Sequence, residues 1–122
     1  MFTQNLKQPP QKGVNMDERV KTELNNIVST LIGTGIVTKI ILFGSYAKGE
    51  QTPSSDIDLC VLTSVKNRRP IEIMVDLRGK LRGVKKMPMD LFAYNQDYFA
   101  VRATLIGSFQ HHIMKYGIVL YG

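Results

Sequence analysis

Two apolar runs of strand length constrain this chain more than any other feature. "KIILF", Lys39 to Phe43, and "IDLCVLT", Ile57 to Thr63, are apolar at nearly every position and rich in β-branched residues. A strand with one wet face alternates apolar and polar residues, whereas one covered on both faces does not. Helices must therefore lie on both sides of the sheet these runs form. Val20, Leu24, Ile27, Val28, Leu31 and Ile32 recur at helical spacing and predict a helix from about Asp17 to Ile32. Asn15, with Glu18 three positions on, matches a capping box, and Gly33 and Gly35 stop the helix. Arg69-Pro70 opens a second helix that carries Ile71, Met74, Val75 and Leu81 inward and ends at Gly83. "MPMDLFAY", Met87 to Tyr94, reads as a third strand. Asn95 caps a helix running past Leu105, Gly107-Ser108 breaks it, and a short helix resumes to Tyr116 before a last short strand in "GIVLYG". The order predicts an α/β domain around a small sheet.

The 122 residues suit one domain, expected over residues 16–122. Residues 1–15 are mostly polar, contain Pro9-Pro10 and lack periodicity, so they read as a mobile arm. No apolar run reaches the ~20 residues a membrane span needs, and no secretory h-region precedes the prolines. The single cysteine, Cys60, excludes an internal disulfide and a cysteine-built zinc site, and its place mid-strand suits core better than a nucleophile. These features point to the cytoplasm. The net charge is +6, and the segment Lys66 to Lys86 accounts for all of it, with eight basic residues against Glu72 and Asp76. Such a face attracts polyanions, although a charge run is also what a solvated helix presents.

Between the two apolar strands lies "GSYAKGEQTPSSDID". Residues i and i+2 of a strand point to the same side, so Asp56 and Asp58 aim together. Two carboxylates that close repel, and both stay ionised only with a cation between them. Mg²⁺ suits the position, because it takes one or two carboxylates plus phosphate oxygens. Gly44 lets a ligand approach the backbone, and Ser45 is expected to cap the short segment "YAKGE" and leave amides free for phosphate. Asp90 is a lone carboxylate amid Met87, Pro88, Met89, Leu91 and Phe92. If its strand lies beside Ile57–Thr63, it faces the same metals, either holding a second ion or taking the proton of an attacking hydroxyl.

Gly-Ser, ten residues, Asp-x-Asp and a later strand aspartate together resemble the nucleotidyltransferase superfamily typified by DNA polymerase β. The wording "LFGSYAKGEQTPSSDIDL" is most similar to its minimal nucleotidyltransferases, often encoded beside a HEPN-type ribonuclease toxin. The resemblance covers about Asp17 to Gly122. It implies a small mixed sheet flanked by helices. It also implies transfer of a nucleoside monophosphate, commonly AMP from ATP, with two Mg²⁺. In the antitoxin branch it implies modification of a tyrosine of the partner toxin; a homo- or hetero-oligomer is open, since the oligomeric state is not legible in the sequence. Position by position, it gives Gly44 and Ser45 the phosphate-binding role and Asp56 and Asp58 the metal. Asp90 becomes the third carboxylate, and Lys48 stands where the family has a basic residue.

Two rival readings stand beside this one. A binding module could use the same fold to block a toxin surface without chemistry, but a complete Asp56, Asp58 and Asp90 set favours an enzyme. A nucleic-acid-binding protein could use the Lys66 to Lys86 face, but that segment lacks the interleaved aromatics on which bases stack.

Overall fold

The computed structural model describes residues 16–122, so the expected mobile arm lies outside the described residues. Helix α1 spans Glu18–Gly33. Its N-cap is Asp17, whose Oδ1 accepts from Val20 N–H at 2.9 Å. The expected cap, Asn15, lies outside the described residues, and Asp17, directly before the first helical residue, holds the N-cap position. Strand β1 (Val37–Phe43), the one-turn helix α2 (Ser45–Lys48) and β2 (Ile57–Thr63) follow. Helix α3 spans Pro70–Leu81, with the Glu72 carboxylate accepting from Arg69 N–H at its start. Then come β3 (Met89–Asn95), α4 (Gln96–Ala103), α5 (Phe109–Tyr116) and β4 (Ile118–Tyr121). Helix α4 stops short of Leu105, as Thr104 takes the C-cap position.

The sheet is mixed, in the order β3-β2-β1-β4. β1 runs antiparallel to β2 and β4, and β2 runs parallel to β3 through the α3 crossover. Both faces are covered, as the apolar runs required. On one face Ile40, Leu42, Ile57, Leu59, Val61 and Leu91 pack against α1 and α3. On the other, Ile41, Phe43, Cys60 and Leu62 meet Phe99 of α4 and Ile113 of α5. Each fully buried Ile or Leu side chain contributes about 1.5–3 kcal/mol.

Helix α3 corrects the expected inward face. Ile73, Leu77 and Leu81 are buried, whereas Ile71 and Val75 are 52% and 61% exposed. The helix carries two apolar stripes at i,i+4 spacing. The longer one, which ends in two leucines, fills the core. Arg78 Nη2, donating to Leu91 O at 3.0 Å, fixes the roll of the helix against β3.

Candidate active site

The site builds from the ends of three strands. In the register Phe43 opposes Asp58, and Asp58 opposes Asp90, so these residues form one row across β1, β2 and β3. Opposed residues of neighbouring strands project to the same face. Asp56 lies two residues before Asp58, at the mouth of β2. Ile57 N–H donates to Pro88 O at 3.0 Å and fastens β2 to β3 at this end. Asp58 is half-buried, while Asp56 and Asp90 are exposed.

Asp58 feels its two neighbours. The carboxyl of Asp58 is held above its ordinary range by burial first, then by the charges of Asp90 and Asp56. The three carboxylates do not close into a cage. Among the described residues no group of three or more His, Cys, Asp or Glu stands where it could hold an ion by itself. An aqueous magnesium ion needs only one or two carboxylates when phosphate supplies further oxygens. The donor set therefore fits a cation that arrives with a phosphorylated ligand better than one bound in a dedicated pocket.

The turn after β1 faces this row. Gly44 adopts φ 77°, ψ −154°, a region essentially reserved for glycine. A Cβ there would collide with the carboxylate of Asp58, with the Asp58 Cγ only 3.1 Å away. Gly44, not Ser45, is the N-cap of α2, and no side chain caps it. Ser45 is the first helical residue, because the carbonyl of Gly44 already accepts from Ala47 and Lys48 N–H. The amides at the start of such a turn have no intrahelical acceptor. Lys48 sits exposed at the other end of α2, and nothing in the geometry ties it to the carboxylates.

Glu23 belongs to this architecture and is absent from the motif. It is buried in the apolar stripe of α1, and its Oε2 accepts from both Lys86 and Met87 N–H at 2.6 Å. That pair of bonds pins the loop leading into β3, and so the height at which Asp90 enters the row. An acidic residue in an otherwise apolar stripe between Val20 and Leu24 was the available signal.

Cys60 is fully buried, and burial pushes its thiol up to about 12, so it is inert core. In the basic segment Arg68 pairs with Asp76, Arg69 with Glu72 and Lys66 with Asp97, while Arg78 is spent on Leu91 O. A cavity of about 490 Å³ lined by Thr38, Lys39, Leu62, Phe99 and Met114 opens at the opposite end of the strands, away from the carboxylates.

Residues 25–122 match the family model of the polymerase beta nucleotidyltransferases. The chain belongs to this family. It is 30% identical over 108 residues to MJ0604 of Methanocaldococcus jannaschii, a provisionally assigned protein adenylyltransferase, covering 88% of this chain and all of that protein. It is also similar to a solved toxin-antitoxin structure with AMP-PNP, at 26% identity and a TM-score of 0.50, over 80% of this chain and 72% of that one. A provisionally assigned nucleotidyltransferase from Sulfolobus solfataricus shares the fold, with a TM-score of 0.52 at 12% identity, over 86% of this chain and 87% of that one. The mixed four-stranded sheet flanked by helices is thus the nucleotidyltransferase fold, and the chain is a nucleotidyltransferase. Among the described residues no helix is long and apolar enough to cross a membrane.

Proposed function

We propose that the protein transfers AMP from ATP to a hydroxyl acceptor, with pyrophosphate leaving, and that the acceptor is a tyrosine of a partner HEPN-type toxin. The observation that carries this reading is the row of Asp58 and Asp90 beside the glycine turn. Gly44 and Ser45 receive the phosphate chain, since a residue without a side chain leaves room at Asp58 and the turn start offers unpaired amides. Asp56 and Asp58 hold magnesium, which when bound neutralises the phosphate oxygens and makes the reacting phosphorus more electrophilic. Asp90 holds a second ion or accepts the proton of the attacking hydroxyl. Its exposure suits a group that must meet an acceptor arriving from solvent. Catalysis in such a site is mostly positioning and charge neutralisation.

A protein acceptor is supported by an exposed apolar surface. Val101 in α4 and Leu105 and Ile106 in the connection to α5 are large apolar residues left exposed. The similarity to MJ0604 and to the toxin-antitoxin structure points the same way. The test is incubation with labelled ATP, Mg²⁺ and the product of the neighbouring gene, followed by intact-mass analysis. A gain of one AMP on a tyrosine of that partner is expected. Loss of the partner's ribonuclease activity with no mass gain would favour the non-catalytic binding module instead.

A further inference from the structure

Three aromatic rings stand beside the carboxylate row. Phe43 shares the row with Asp58 and Asp90, and Phe92 follows Asp90 by two residues on the same face. The rings of Phe43 and Phe92 lie 6.0 Å apart, and Phe109 meets each of them edge-on at 5.5 Å. Phe43 and Phe92 come from the strands flanking β2. A ring touching both lies over β2, between Asp58 and Cys60. Phe109 therefore lies on the sheet face that carries Asp58 and Asp90.

Its position is fixed from behind. Gly107 turns the chain at φ 93°. Ser108 Oγ accepts from His111 N–H at 3.0 Å and donates to Arg102 O at 2.7 Å. Yet the ring is 42% exposed, whereas Phe43 beneath it is buried. Two rings support a third that is half open to solvent on the sheet face that carries the candidate metal ligands. Core packing alone does not call for that arrangement.

We infer that the exposed side of Phe109 stacks on the base of the bound nucleoside triphosphate, which makes Phe109 a nucleotide-positioning residue. The inference rests on the nucleotidyltransfer reading of Gly44, Asp56 and Asp58. The base travels on the molecule whose phosphates meet Gly44, one ribose from the reacting phosphorus. Phe109 leans on Phe43, the residue leading directly into Gly44. Stacking reads the area of a π-face and not its hydrogen-bonding edge, so this contact grades purines above pyrimidines without choosing between A and G.

Calorimetric titration with Mg-ATP and with Mg-tripolyphosphate separates the base from the phosphates. Phe109→Leu should weaken Mg-ATP binding by roughly 5- to 100-fold, leave tripolyphosphate unchanged, and be rescued by Phe109→Trp. Equal loss for both probes, or no loss for either, overturns the inference while wild-type binding keeps the nucleotidyltransfer reading intact. Unchanged Mg-ATP affinity with impaired turnover puts the ring on the acceptor side and also overturns it. A wild-type protein that binds neither probe removes the underlying reading, and the inference with it.

Discussion

Gly44 and Asp58 occupy each other's space: a methyl group on the glycine would sit on the carboxylate of the aspartate. The positive φ and the close approach are two separate reasons for glycine at this point. Gly44→Ala should therefore cost about 1–3 kcal/mol from backbone strain alone. It should also push Asp58 out of the row, so nucleotide affinity and turnover fall together. Chemical denaturation and calorimetry on the one variant check both effects. The companion change Ser45→Ala should be mild by itself, since its side chain caps nothing.

Asp58 sets stability against function. Its carboxyl is raised by burial and by Asp90 and Asp56, so the folded state binds that proton more tightly than the unfolded chain does. Stability then falls as pH rises from the ordinary carboxyl value of 3.8 through the raised folded value, and is level above it. Asp58→Asn should abolish transfer yet raise the melting temperature at neutral pH, with the advantage disappearing in acid. Melting curves of wild type and variant across pH, without added metal, read this directly. A variant less stable than wild type at neutral pH would contradict the assigned repulsion.

Asp90 separates chemistry from binding. If it serves the second ion or the attacking hydroxyl, Asp90→Asn keeps most of the affinity for Mg-ATP, because Asp56, Asp58 and the Gly44 turn remain. Turnover should drop by about 10²- to 10⁴-fold, the usual worth of a positioned proton acceptor. Normal turnover in this variant would reduce Asp90 to a strand-end residue. A loss of affinity as large as that of Asp56→Asn would mean that all three carboxylates hold a single cluster.

Glu23 should matter for the fold and, through it, for the site. Glu23→Ala leaves the amides of Lys86 and Met87 without their carboxylate and should cost roughly 2–4 kcal/mol. Glu23→Gln, which keeps an acceptor oxygen, should recover part of that. Amide exchange at residues 86 and 87 should quicken in the alanine variant before the rest of the sheet is affected.

The strands were legible because their apolar runs leave few alternatives: Ile57–Thr63 begins and ends where the pattern says. The carboxylates were legible as a motif, but their alignment was not. Asp58 meets Asp90 only through the parallel pairing of β2 with β3, which no local pattern encodes. Helix α3 shows the limit of periodicity. Ile71 and Val75 form a second apolar stripe beside the longer one of Ile73, Leu77 and Leu81, and the packed structure buries the longer one. The Phe43, Phe92 and Phe109 cluster was hidden for the same reason, since its members come from two strands and a helix joined by nothing local.

The parallel register has a parity. Side chains alternate along β3, so a slip of one residue against β2 would exchange Asp90 for Leu91 at the row and drive a carboxylate into the core beside Ile57. An unpaired buried charge costs several kcal/mol, so the misaligned sheet is rejected energetically rather than tolerated as a weaker enzyme. The clamp of Glu23 on residues 86 and 87 sits where such a slip would start. Alignment of the carboxylates is thus guarded by strand parity, since the slipped sheet carries the penalty of a buried charge.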